Sequence, residues 1–317
     1  MKVSFVIPVK DAAQHVRRCI ASIVANDYPR DQVEILVIDN DSSDGSAQAA
    51  LDAGATVLRS SARSVAELRN QAAGQSRGSI LAFVDADHEI DRQWVRTALE
   101  VLSAVDIGAT GAPYLTDPLP NWVQRHYDAM RSRPAARGEV QWLGSGNLAI
   151  KKDVFDGIGG FDEQLTACED VDLCNRLRAA GHRIVADPAM RSVHYGDPRT
   201  LKALFYGELW RGRDNVRVTF RGPKTFRQLR SALIPIVDLL AIVAGLAALL
   251  LGYLGLAVAC WLVVLAFIGI RAVFILRRLS RPGVKDVAQA LVFAAVFDLA
   301  KALALVARGS HRARRSN

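Results

Sequence analysis

Two acidic side chains one residue apart, Asp85 and Asp87, follow the apolar run Ile80–Val84. Carboxylates so spaced at the end of a buried strand bring hard oxygen ligands together, a set that suits a divalent cation also holding phosphate oxygens. A second polar run, Asp39-Asn40-Asp41-Ser42-Ser43-Asp44-Gly45-Ser46, follows Glu34–Ile38. Asp, Asn and Ser are also good turn and helix-cap residues, so this run serves either a ligand or the local backbone. Glu169-Asp170-Val171-Asp172 sets two like charges side by side. Such a neighbour raises the pKa of one carboxyl, although acids are equally at home in the first turn of a helix. His194 is a ligand by type, or a structural histidine. There is no GxGxxG after the first apolar run and no GxxxxGK[ST], so the dinucleotide fingerprint and the P-loop are both missing.

These residues need a scaffold, and the hydrophobic pattern supplies one. Lys2–Pro8, Val33–Ile38, Thr56–Leu58, Ile80–Val84 and Ile107–Gly111 are short, partly β-branched apolar runs that predict strands. Gln14–Asn26, Gly45–Ala53, Val65–Gln75 and Asp91–Ala104 carry helical periodicity between them. Alternating strands and helices predict an α/β fold, a Rossmann-like, mainly parallel sheet with helices on both faces. Ligands of such sheets collect at the carboxyl ends of the strands, where Asp39, Asp85 and Asp87 stand.

The ordered motifs then carry a resemblance. Ser4-Phe5-Val6-Ile7-Pro8-Val9-Lys10, Val37–Ser46, Leu68-Arg69-Asn70-Gln71-Ala72, Leu81–Asp87, Gly159-Gly160-Phe161-Asp162-Glu163 and Glu169–Leu173 together resemble family 2 glycosyltransferases of GT-A fold, over about residues 3–215. That resemblance implies an inverting transfer of a sugar from a nucleoside diphosphate sugar, with Mg²⁺ or Mn²⁺ as cofactor. It implies Pro8, Val9, Asp39, Asp41, Arg69 and Asp85 at the donor. It also implies Asp85, Asp87 and His194 at the metal, and Asp170, beside Glu169, as the base. Gly144 and Asn147, on what reads as an apolar strand, are expected near the acceptor. Trp210, Arg211 and Arg213 are expected at the acceptor or diphosphate, or on a basic amphipathic helix. Their order departs from the Gln-x-x-Arg-Trp of processive synthases, which argues against a polymerase.

The back of the chain has different chemistry. Residues 1–200 hold 22 basic and 27 acidic side chains, whereas residues 201–317 hold 18 basic and 5 acidic. From Leu233 to Leu276 only Asp238 and Arg271 carry charge, about twice the roughly 20 residues that cross a bilayer. Gly252 and Gly255 at its middle predict a hairpin of two transmembrane helices, the alternative being one long buried helix. Basic residues at both ends (Arg221, Lys224, Arg227 and Arg230; Arg277, Arg278, Arg281 and Lys285) predict that both ends face the cytoplasm. Asp238 and Arg271 lie equally far from the hairpin centre and are expected to pair. Residues 287–306 are apolar, with Asp286, Gln289, Asp298, Lys301 and Arg308 on about half of a helical wheel. A basic tail, 308–317, follows, and the charge rule favours a helix lying in the interface over a third span.

The sequence thus predicts a GT-A nucleotide-diphospho-sugar transferase domain over 1–215 and a basic juxtamembrane segment over 216–232. Two transmembrane helices follow within 233–276, then an interfacial or third transmembrane helix over 286–307, and the tail. A chain this apolar and this long is neither disordered nor a small disulfide scaffold. Four cysteines with no CxxC pair read as reduced thiols, and the N-terminus has no signal-peptide pattern. The expected partners are a nucleoside diphosphate sugar, a lipid-linked glycan acceptor and a membrane, not nucleic acid, with the oligomeric state left open. The expected location is the bacterial inner membrane. A polyprenyl-phosphate or glycolipid acceptor, and a non-catalytic nucleotide-sugar-binding scaffold, are the alternatives.

Overall fold

The computed structural model describes residues 1–131, 136–223 and 226–307. Lys224, the side chain of Arg227 and the basic tail from Arg308 onward lie outside the described residues. The chain forms two compact units, Met1–Asp117 with Ser132–Gly196, and Pro118–Arg131 with Asp197–Asn317.

The first unit alternates as the periodicity requires. Its elements run β1 (Val3–Val9), α1 (Ala13–Val24), β2 (Val33–Asn40), α2 (Ser46–Asp52), β3 (Thr56–Ser60), α3 (Val65–Gln75), β4 (Ile80–Val84), β5 (His88–Ile90), α4 (Trp94–Leu102), β6 (Ile107–Gly111) and β7 (Leu115–Thr116). The second unit contributes α5 (Trp122–Met130), after which the first resumes with β8 (Gly138–Glu139), β9 (Asn147–Lys151), α6 (Lys152–Gly157), α7 (Glu169–Ala179), β10 (Arg183–Ala186) and β11 (Ser192–His194). One sheet of eight strands has the order β3-β2-β1-β4-β9-β6-β10-β8, and β5-β11-β7 make a second. β1 pairs in parallel with β2 and β4, so Pro8 lies beside Ile38 and Val9 beside Asp39. β9 enters antiparallel between β4 and β6.

The core lies on both faces of the sheet. Phe5, Ile7, Val37 and Trp94 fill one face, and Val6, Phe83, Leu148 and Leu177 fill the other. Burying a side chain of this size is worth about 1.5–3 kcal/mol, so these layers hold the strand ends in register. Local chemistry sets the helix starts: Ser64 accepts from the Glu67 amide at α3, and Asn121 and Gln124 form a capping box at α5.

The second unit is helical: α8 (Leu201–Arg211), α9 (Asn215–Arg221), α10 (Phe226–Leu250), α11 (Leu254–Leu276) and α12 (Val284–Ala304). α10 and α11 join through a turn at Gly252, whose φ of +78 suits glycine. Three segments, Leu229–Leu250, Leu254–Leu276 and Val284–Ala304, are long and apolar enough to cross a membrane. The expected Asp238–Arg271 pair gives way to another. Arg271 Nε donates to Asp298 Oδ1 of α12 at 2.8 Å, while Asp238, buried, leaves Oδ1 without a hydrogen bond among the described residues. The symmetry of the hairpin carries no information about α12, which supplies the partner.

Candidate active site

Three parallel strands end side by side, and the polar residues that follow them line one edge of the sheet. Asp39, the next-to-last residue of β2, is fully buried. Its Oδ2 accepts from the Ser42 amide at 3.4 Å and lies 3.9 Å from Arg59, while Oδ1 has no partner among the described residues. A buried carboxylate oxygen left unpaired costs energy unless a ligand completes it. The rest of that acidic run serves the backbone. Asp44 accepts from the Ala13 amide, Ser46 Oγ accepts from the Ala12 amide, and Asp11 accepts from the Ser43 amide, so the loops after β1 and β2 are stitched together. Asp41 is exposed, with φ of +50.

Arg69, on α3, is buried and forks between two carboxylates. Nη2 meets Asp85 Oδ1 at 2.7 Å and Nη1 meets Glu169 Oε1 at 2.8 Å, and the guanidinium lies over the Phe161 ring. The planar fork matches two separate carboxylates as a lysine could not. It couples the end of β4 to the start of α7. There Cys168 takes a left-handed φ of +61, and Glu169 and Asp170 occupy the first turn. Burial first, then the charge of Glu169, push Asp170 up to about 7, partly offset by the Val171 amide and by Arg69. Gly144 lies beside this carboxylate, where a Cβ would stand 3.7 Å from Asp170 Oδ2.

A second cluster forms where β5 and β11 pair, with His88 opposite His194. One ligand atom each of Asp87, His88 and His194 lies within 4.8 Å of the others. His194 Nε2 is 3.3 Å from Asp87 Oδ2, and the buried His88 places Nδ1 2.9 Å from Ser192 Oγ, which orients its ring. A Cβ on Gly196 would overlap Asp87 Oδ2 and stand 2.8 Å from His194 Nε2; one on Gly146 would stand 3.1 Å from His88 Nε2. Glycine at both positions keeps the space around the three donors open, so the residues present fit a divalent ion.

The remaining expected residues take their places from their own neighbours. His88 joins Asp87 and His194 in the donor cluster, while Asp85 Oδ1 meets Arg69. The only sequence signal was its adjacency to Asp87, since the cluster closes across a ladder between strands 104 residues apart. Asn147 opens β9. It is buried, its amide donating to the Ala112 and Met190 carbonyls while its oxygen accepts from Trp94 Nε1. Gly144 lies in the turn before β9, not on a strand. Trp210 and Arg211 end α8 in the second unit, Arg213 follows, and Arg211 donates to the buried Glu208 at 2.8 Å.

The sequence model described as Glycosyl transferase family 2 matches residues 4–161. Among curated proteins, the chain is 27% identical over 194 residues to the glycosyltransferase AglE of Haloferax volcanii, covering 57% of this chain and 63% of that protein. It is 28% identical over 226 residues to the N-acetylglucosaminyl-diphospho-decaprenol L-rhamnosyltransferase of Mycobacterium tuberculosis, covering 57% of this chain and 72% of that protein. Over the first such relatives the match spans between 17% and 63% of their length. Among solved structures, the mannosyltransferase PcManGT of Pyrobaculum calidifontis, in complex with GDP-Man and Mn²⁺, superposes with a TM-score of 0.62 at 20% identity, covering 94% of this chain and 87% of that one. It has the same fold.

Proposed function

Because the chain belongs to glycosyltransferase family 2, we propose that it transfers a sugar, with inversion, from a nucleoside diphosphate sugar to a lipid-linked glycan at the cytoplasmic face of a bacterial inner membrane. The product would enter exopolysaccharide or other envelope glycan synthesis. The observation that carries this reading is the Asp85–Arg69–Glu169 bridge with Asp170 beside it, which joins a donor-side carboxylate to a base with pKa near neutrality. Supporting the acceptor class, the mycobacterial relative is named for a decaprenol-diphosphate substrate. The apolar hairpin suits such an acceptor by holding the protein at headgroup height.

Each residue has a part. Asp39 takes the nucleoside with its unpaired Oδ1, Pro8 and Val9 wall that pocket, and Asp41 stands at its rim. Arg69 holds Asp85 towards the donor. The acceptor oxygen attacks the anomeric carbon, the bond from that carbon to the diphosphate oxygen breaks, and the acceptor proton passes to Asp170. Asp87, His88 and His194 would hold a divalent cation, whose charge would stabilise the diphosphate leaving group. Two imidazoles in the donor set favour Mn²⁺ over Mg²⁺, which prefers oxygen throughout.

Nucleotide release is measured with UDP-, GDP- and dTDP-sugars, Mn²⁺ or Mg²⁺, and membrane lipid extract, for wild type and Asp170→Asn. Metal-dependent turnover in the wild type, reduced about 10²–10⁴-fold in the variant with donor binding intact, is expected. Donor binding without turnover in any lipid fraction would instead make the protein a nucleotide-sugar-binding scaffold. Turnover with polyprenyl phosphate alone would reassign the acceptor.

A further inference from the structure

The helix α12 is long enough to cross a bilayer, about 31 Å for its 21 residues at 1.5 Å each. It packs against α11, α8 and α10, and its polar contacts fix where along them it lies. α10 and α11 form an antiparallel hairpin, with Gly245 packed against Cys260 and Trp261, so the start of α10 and the end of α11 share one end of that hairpin. Near this end, Asn215 of α9 donates through Nδ2 to the carbonyl of Ser231, in the second turn of α10. Gly212 precedes Asn215 by three residues, roughly 10 Å of chain at most. A Cβ on Gly212 would stand 2.6 Å from the Cβ of Ala304, the last residue of α12. The far terminus of α12 is therefore held near the end at which α10 begins.

The beginning and middle of α12 are tied to the same level. Asp286 meets Arg125 of α5 at 3.2 Å, and Arg278, two residues past α11, donates to the Arg131 carbonyl just after α5. Asp298 pairs with Arg271, five residues before the end of α11 and so about 7.5 Å in from it. A third spanning helix returning alongside α11 through a loop centred on residue 280 would set position 289 opposite Arg271. The partner is Asp298, about 13 Å further along the helix. Start, middle and end of α12 thus all meet the base of the hairpin.

The two faces of α12 fit that placement. Asp298 and Lys301 point inward, Lys301 to Glu208 of α8 at 2.9 Å, and Phe293 is fully buried. Val284, Val287, Leu291, Val292, Leu299 and Val306 make an exposed apolar stripe along its whole length. Helices α8, α10, α11 and α5 cover the opposite side, and none of the described residues covers the stripe. The hairpin also exposes apolar side chains, Leu240, Val243, Val258 and Leu262 among them.

We propose that α12 lies in the plane of the membrane at the base of the hairpin, its stripe against the lipid, and returns the chain to the side from which α10 entered. This rests on the hairpin crossing the bilayer. Under it, Arg277, Arg278, Arg281 and Lys285 all fall on one side, as the charge rule asks.

The test uses the full chain in membranes, with a nitroxide amino acid introduced by noncanonical incorporation, so that the four native cysteines stay, at Val284, Val292 and Val306. Power saturation with oxygen and a nickel chelate should read one shallow depth at all three, within about 5 Å. Val292 about 15 Å deeper than the other two would overturn the proposal, because that is the profile of a spanning helix. The same label at Tyr253 reports the hairpin separately: exposure to a chelate added on the opposite side from Met1 establishes its crossing. Finally, green fluorescent protein fused after Asn317 should fluoresce whenever the same fusion before Met1 does. Alkaline phosphatase active after Asn317 but inactive before Met1 would refute the return of the chain.

Discussion

At Arg69 a single guanidinium decides the arrangement of two carboxylates, and its removal should be felt at both. Glu169→Gln leaves a buried positive charge with half its compensation, a loss of about 3–5 kcal/mol that thermal unfolding would register. The same change removes the negative charge that raises Asp170. The rising limb of the pH profile of kcat/KM should therefore move to lower pH. In the wild type Asp170 accepts a proton only when ionised, so activity should climb as pH passes about 7. A profile flat between pH 6 and 8 would remove Asp170 from the role of base. At the second cluster, His88→Ala should raise the Mn²⁺ concentration for half-maximal activity by about 10–100-fold, while His194→Ala should do at least as much. An unchanged metal requirement in His88→Ala would return Asp85 to the ligand set.

Among elements, the pairing of α8 with α12 depends on one buried acid. Glu208 binds Lys301 at 2.9 Å and Arg211 at 2.8 Å, and burial, which by itself would raise its pKa, is outweighed by these two cations, so that it falls to about 2. Its folded-state pKa lies below the ordinary 4.5, so its contribution is complete above about pH 4.5 and is lost as pH falls towards 2. Glu208→Gln should lower Tm at pH 7 and flatten the acid limb of stability; equal Tm values at pH 7 would mean the pair adds nothing. The first unit's elements were legible from periodicity, because strands such as Ile80–Val84 and helices such as Val65–Gln75 are bounded by their own turn and cap residues. The short strands β5, β7 and β11 were not. Two or three residues carry no period, and they are strands only because they find each other.

For the whole molecule, the apolar hairpin should keep the protein in the pellet through an alkaline carbonate wash, which strips proteins bound only by charge; release into the supernatant would mean that α10 and α11 do not cross. The sequence by itself determined the α/β alternation, the carboxylates at the strand ends, the motifs that carry the family and the apolar hairpin. All of these are local: a run of apolar residues, a spacing of two, a turn at a glycine. Tertiary structure decided what joins distant segments. It turned Asp85 to Arg69, brought His88 to His194, buried Asn147 beneath Trp94 and gave Arg271 to Asp298 instead of Asp238. A charge or a ligand atom is satisfied by whatever neighbour folding delivers within about 3 Å, and sequence distance has no bearing on that neighbour.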